Sequence, residues 1–262
     1  MRDVNKIIHE DLRDRFHSLL DSEPILRGII FDVLLKGRAY IVGGFVRDVI
    51  NDRENRDLDI IIDIPPKELK GILENYNCEE CINRLGGAKL KLQNVEVDVW
   101  SIDNNWAFAN NLVKLNDNDK LNSIAKGCFY NYDALVVSVP KFMYNIRYYN
   151  EFFDKKELNI LQKNSLYKKL NPTVEANIIR AVYIKKLYNI DFSDNLKDYM
   201  INEILTLRDK YDGVVQHLLS IKSLYQKYDI ITETDIKLII EELFEEKVPS
   251  LFDKDDYDGV LK

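Results

Sequence analysis

The sequence predicts an α+β fold: a mixed five-stranded sheet with helices over residues 1–150, followed by an all-α half over residues 151–262. Three observations predict it. Short runs in the first half alternate apolar and polar side chains with the two-residue period of strands. Beyond about residue 150 only the helical period remains. Between Tyr40 and Asp63, YIVGGFVRDVINDRENRDLDIIID sets a strand, a glycine pair, an Arg-Asp and a second strand with two aspartates in close order.

Taken in chain order, residues 5–20 and 24–36 carry apolar side chains at helical spacing, and Ser22 with Pro24 marks the start of the second helix. Strands follow at 38–42, 57–63, 87–92 and 94–100, with a helix at 66–76 behind Pro65 and Pro66. A last strand at 134–139, in DALVVSVP, completes the sheet. In the second half, 212–228 and 234–246 read as amphipathic helices closing a small helical body, and the final DKDDYDGVLK, with Tyr257, reads as a polar tail.

Strand geometry gives the Tyr40–Asp63 run its chemistry. Side chains alternate faces, so in DLDIIID the carboxylates of Asp57 and Asp59 share one face and Leu58, Ile60 and Ile62 the other. One face packs into a core; the other is free to hold a metal. Mg²⁺ takes oxygen ligands and keeps triphosphate oxygens in its shell, which suits two neighbouring carboxylates. Upstream, Ile41 and Val42 lead into Gly43 and Gly44, where missing side chains let backbone amides approach phosphate, and a helix starting there points its first amides at the anion. Arg47 adds a charged fork for phosphate oxygens, and Asp48 braces it or the loop. Downstream, VEVDVW again alternates, placing Glu96 and Asp98 on one face.

Composition narrows the class. The chain has 262 residues and is 46% hydrophobic, enough for a sizeable core in one or two domains. No apolar run approaches the roughly 18 residues that span a membrane, and the charged start MRDVNKIIHEDLRDRF does not read as a signal peptide. A cytoplasmic protein without membrane insertion is expected. Cys78, Cys81 and Cys128 do not form a disulfide framework, and the lone CxxC and the histidines His9, His17 and His217 lack metal-ligand spacing. Charge is uneven: residues 151–190 hold eight Lys or Arg against four acids, and residues 191–262 nine against seventeen. The lysine pairs Lys155–Lys156, Lys168–Lys169 and Lys185–Lys186 are therefore candidates for a polynucleotide path, with Tyr148, Tyr149, Phe152 and Phe153 beside them to stack on bases. The plainer alternative makes these aromatics core and the lysines a solvated face.

GGFVRD followed by DLD resembles the head domain of the class II nucleotidyltransferases, which include bacterial poly(A) polymerases and CCA-adding enzymes, within the DNA polymerase β superfamily. The resemblance implies a polymerase β-like head over 1–150, with N-terminal helices at 1–37, and a helical neck and body over 151–262. It also implies a third carboxylate on a neighbouring strand, near the acceptor hydroxyl: Asp98, with Glu96 as the alternative. Two Mg²⁺ ions, or Mn²⁺, would then be held by Asp57, Asp59 and Asp98. The family's RRDF-type segment before Asn-Ala-Leu corresponds here to KGCFYNYDAL, Lys126–Leu135, in which Gly127, Cys128 and Phe129 stand in place of the arginine pair and aspartate. Its base-reading motif corresponds to NPTVEANIIRAVYIKKLY, where Arg180 and Ala181 match and Asn177 stands at the base-reading arginine. An Asn amide pairs with adenine through both donor and acceptor, which suggests an adenine preference.

The function so implied is template-independent transfer of a nucleoside monophosphate, ribo or deoxy, from a nucleoside triphosphate to a nucleic-acid 3′ hydroxyl, with pyrophosphate released. The acceptor is tRNA or a short oligonucleotide. One alternative is a nucleotidyltransferase of an anti-phage or toxin system, acting with a partner effector on an oligonucleotide signal, RNA or protein. Others are a small-molecule nucleotidyltransferase, whose relatives usually carry Gly-Ser instead of Gly43-Gly44, and a binding module with an inactive head.

Overall fold

The structure is a computed structural model, and it describes residues 4–54, 57–78, 82, 86–161 and 173–247. Cys81, Lys168, Lys169 and the tail 253–262 with Tyr257 lie outside the described residues. The chain divides into two compact units, Met1–Asn150 and Glu151–Lys262.

In the first unit, helix α1 (Val4–Ile7) passes through a π-helical turn, Ile8–Leu12, into α2 (Arg13–Ser22). Helix α3 (Pro24–Lys36) follows after a single residue. The residue before its first turn is Glu23, not Ser22: the Ser22 hydroxyl donates back to the Leu19 carbonyl at 2.9 Å, closing α2 instead of opening α3. Pro24 sits in the first turn, where its missing N–H costs nothing. The buried Glu23 carboxylate accepts from the backbone and side-chain nitrogens of Asn94 at 2.7 and 2.9 Å, which satisfies it and ties this corner to the sheet.

The sheet has six strands, not five, in the order β3-β4-β2-β1-β5-β6. They are β1 (Arg38–Val42), β2 (Asp57–Asp63), β3 (Ala88–Lys91), β4 (Glu96–Ser101), β5 (Val136–Val139) and β6 (Tyr144–Asn145). β2 and β4 are parallel and every other pair is antiparallel, so the α+β class and the mixed sheet stand as expected. The sixth strand has only two residues, too few to show a period. β5 starts at Val136 because residues 131–133 wind into a 3-10 turn.

One face of the sheet carries Leu58, Ile60, Ile62, Val97 and Val99, all fully buried. Helix α4 (Gly44–Ile50) packs beside β1 and β2, and α5 (Pro66–Asn75) against α3. On the other face α7 (Lys120–Gly127) lies beside β5 and β6 and reaches β2, where the Lys120 ammonium donates to Asp63 Oδ2 at 2.7 Å. That face therefore has one end closed by α7. A short α6 (Trp106–Ala109) precedes it, started by the Asn105 side chain accepting from the Ala107 N–H.

Helix α8 (Arg147–Lys155) carries the chain past residue 150. The second unit has helices α9 (Val174–Tyr188), α10 (Asp194–Arg208), α11 (Val214–Lys222) and α12 (Glu233–Lys247). Thr173 and Ser193 cap α9 and α10 by accepting from Ala176 and Leu196. The all-α expectation needs a correction: β7 (Glu157–Leu158) and β8 (Asp191–Phe192) form a small parallel pair. The helix expected over 212–228 stops at Lys222, and residues 226–228 form a separate 3-10 turn.

Candidate functional site

β1 runs antiparallel to β2, so its final residue, Val42, lies opposite Asp59, and the chain leaves the sheet as Gly43 at the end where β2 begins. Gly43 has φ +69° and ψ −116°, a conformation open to glycine and strained for any other residue. Its N–H donates to the Leu135 carbonyl at 2.9 Å, and its own carbonyl accepts from Arg47 N–H at 3.1 Å, starting α4. The glycine turn is thus held from both sides.

Register assembles the carboxylates. Parallel pairing sets Asp57 opposite Glu96 and Asp59 opposite Asp98, all on the face away from Leu58 and Ile60. Antiparallel pairing adds Lys91 opposite Glu96 and Lys89 opposite Asp98. One row across the sheet therefore reads Lys89, Asp98, Asp59, Val42 and Val136, with the glycine turn following Val42 along β1, and a second reads Lys91, Glu96, Asp57. The Lys89 ammonium lies 2.8 Å from Glu96 Oε2 and 3.7 Å from Asp98 Oδ2. Its hydrogen bond to Glu96 raises the Lys89 pKa against partial burial and lowers that of Glu96. Burial lifts the Asp98 carboxyl above its ordinary value; Lys89 pulls it down, while the charges of Asp57 and Glu96 push it further up.

The donor set is hard oxygen, as Mg²⁺ prefers. Among the described residues, however, no three His, Cys, Asp or Glu side chains converge closely enough to enclose an ion. Asp98 has the Lys89 ammonium as its nearest cation instead.

Arg47, read from the sequence as a phosphate fork, also has partners within the protein. Its Nη1 donates to Asp133 Oδ1 at 2.8 Å, its guanidinium lies 4.5 Å over the Tyr132 ring, and its Nε is 3.9 Å from Asp48. Asn51 then donates to the Arg47 carbonyl at 2.7 Å and to the Tyr149 hydroxyl at 3.0 Å. Arg47 thereby ties α4 to the segment 132–135 behind the glycine turn. Lys89, Tyr132 and Asp133 are the partners that sequence reasoning did not name; only register and tertiary packing bring them here.

Asn177 and Arg180 lie on α9 in the second unit, Asn177 at 2% exposure and Arg180 half-buried. The basic candidates divide. Lys155 and Lys156 are exposed, whereas Lys185 pairs with Glu242 at 3.0 Å and Lys186 with Asp235 at 2.5 Å. Of the stacking candidates, Tyr148, Tyr149 and Phe152 are buried, and Phe153 meets Phe152 and Tyr188 edge to face. These aromatics are core because α8 turns them inward. Cys78 and Cys128 are not joined by a disulfide, and their thiols donate to the Tyr76 and Ile124 carbonyls at 3.4 and 3.8 Å.

Residues 39–116 match the family described as the poly A polymerase head domain, which bears out the resemblance carried by GGFVRD and DLD. No curated protein matches the chain. Among solved structures, it is similar to a Thermotoga maritima CCA-adding enzyme complexed with tRNA, with 15% identity and a TM-score of 0.60 over 97% of this chain and 57% of that one. A CCA-adding enzyme with ATP gives 15% identity and a TM-score of 0.60 over 97% and 58%. A tRNA-processing enzyme in its apo form gives 16%, 0.53, 96% and 61%. At such identities the likeness is one of fold, and the chain spans less than two thirds of each of these structures.

Proposed function

We propose that the chain is a template-independent nucleotidyltransferase that transfers a nucleoside monophosphate from a nucleoside triphosphate to a nucleic-acid 3′ hydroxyl, with residues 1–150 as its head and 151–262 as a helical neck and body. The observation that carries this reading is the register that sets Asp98, Asp59 and Val42 in one row, with the Gly43–Gly44 turn following Val42 along β1, so that the carboxylates and the glycine turn stand side by side.

The triphosphate lies along the turn at Gly43 and Gly44, where no Cβ blocks the backbone. The acceptor 3′ oxygen forms a bond to the α-phosphorus, the bond from that phosphorus to the bridging oxygen breaks, and pyrophosphate leaves with that electron pair. Asp98, raised by burial toward a carboxyl that readily takes a proton, receives the hydroxyl proton. Asp57, Asp59 and Asp98 are the residues that would hold Mg²⁺ or Mn²⁺. Held there, the ion would supply charge neutralisation at the triphosphate. Asp133 and Tyr132 keep Arg47 and the turn in place. Asn177, three residues before Arg180, is our candidate for adenine selection, since its amide offers a donor and an acceptor together.

The test is incubation of the pure protein with Mg²⁺, each labelled NTP and dNTP, and tRNA, a short oligonucleotide or no added acceptor. Extension of a nucleic acid with release of pyrophosphate is expected. Transfer only to a small hydroxyl or amine, or none at all, would overturn the reading, and an unchanged base preference in Asn177→Asp would remove the role given to Asn177.

A further inference from the structure

The carboxylate face has two sides. On the β1 side the carboxylates give way to Val42 and, next along β1, the glycine turn, where the triphosphate is placed, so the acceptor approaches from the other side, over β4 and β3. That side carries the cations. β3 reads AKLK: Ala88 and Leu90 are buried and the alternate Lys89 and Lys91 are exposed on the carboxylate face. Register sets Lys89 opposite Asp98 and Lys91 opposite Glu96. Same-face residues on one strand stand about 6.6–6.8 Å apart, so the two ammonium groups form a short cationic rail parallel to β4.

We propose that Lys89 and Lys91 receive the backbone phosphates of a single-stranded 3′ end and guide it onto Asp98, an inference that rests on the transferase reading above. The charge pattern favours this occupant. Asp57, Asp59, Glu96 and Asp98 together repel a polyanion, and a strand whose terminal hydroxyl must reach Asp98 needs compensating charge where it arrives. Lys89, at 46% side-chain exposure, already offsets Glu96 and Asp98. Lys91 is exposed and forms no ion pair among the described residues, acting on Glu96 only at longer range. The lysine pair on α9, Lys185 and Lys186, is engaged within its own unit by Glu242 and Asp235.

The experiment is a salt titration of the binding of the full chain to a short fluorescein-labelled single-stranded oligoribonucleotide with a free 3′ hydroxyl, read by anisotropy. The proteins compared are wild type, Lys89→Gln, Lys91→Gln, the double variant and Lys70→Gln, a control at a solvent-exposed lysine of α5. Each rail lysine lost lowers the slope of log K against log salt by about 0.7, and the pair by about 1.4, whereas Lys70→Gln keeps the wild-type slope. Lys91→Gln leaves both Lys89 ion pairs intact and removes only the longer-range pull of Lys91 on Glu96, so its slope reads the contribution of Lys91 apart from the Lys89 contacts. If the double variant keeps the wild-type slope, or loses only solubility as expected for lysines that merely guard a sheet edge, the inference is overturned and the transferase reading stands. If the slopes fall as stated but no nucleotide is transferred, the rail stands and the transferase reading falls. A wild-type protein that neither binds nor extends the oligonucleotide overturns the rail and the nucleic-acid acceptor together.

Discussion

Arg47 and Asp133, 86 residues apart in the chain, meet at 2.8 Å with both side chains only 16% exposed. An arginine placed one helical turn after a glycine pair is therefore spoken for by a carboxylate before any ligand arrives. Removing one partner strands the other charge in a poorly hydrated place, so Arg47→Ala should destabilise the protein by about 2–4 kcal/mol in urea unfolding. Asp133→Asn keeps an acceptor of the same shape and should cost about half as much or less. A double-mutant cycle showing no coupling between the two positions would refute the brace.

Asp57 opens β2 and is exposed, with its neighbour Leu58 fully buried. Asp57→Ala therefore leaves the sheet intact, with a stability change within about 0.5 kcal/mol, typical of surface positions. If Asp57 holds the metal as proposed, transfer activity falls by at least about a hundredfold, because losing that carboxylate would remove several kcal/mol of charge stabilisation. Full activity with a folded variant would show that the metal site lies elsewhere.

Legibility in the sequence followed how local each signal was. β1 and β2 lie where their alternation and flanking glycines put them, and α5 starts at the expected Pro66. The π turn at Ile8–Leu12 continues an ordinary helical pattern and left no mark of its own. The aromatics of α8 were open to two readings because periodicity shows which residues share a face, not what that face meets; Phe152 is fully buried. The acids at 57, 59 and 98 could be named one strand at a time. That Lys89 sits opposite Asp98, or that Asp133 closes on Arg47, depends on register and long-range packing that no local window contains.

Asp98 carries a cost in the absence of ligand. Its carboxyl is raised chiefly by burial, so the ionised form is less favourable in the folded chain than in the unfolded one. Asp98→Asn removes that penalty and should raise the thermal midpoint at neutral pH while abolishing transfer. The gain should shrink as the pH falls through the range where wild-type Asp98 takes up its proton. A variant that melts below wild type at neutral pH would mean that the Lys89 contact outweighs desolvation.

In the second unit the sign is reversed. Burial works to raise the Asp235 carboxyl, but it is outweighed by Lys186 and by the Thr232 hydroxyl and backbone N–H, which donate to Oδ2 at 2.6 and 2.7 Å. The folded-state pKa is therefore lowered from its ordinary 3.8, so the stabilisation is fully present above that value and is lost as the pH falls through the lowered one. Glu175, lowered by its own backbone N–H, His217 and Thr173 despite burial, adds loss in the same direction below its ordinary 4.5. Unfolding free energy should thus fall on acidification from about pH 5 downward. Asp235→Asn retains an acceptor for Thr232 but loses the charge facing Lys186, so it should be less stable than wild type at pH 7 and converge with it in acid. Parallel stability curves for the two proteins across that range would show that Asp235 titrates alike in the folded and unfolded chain.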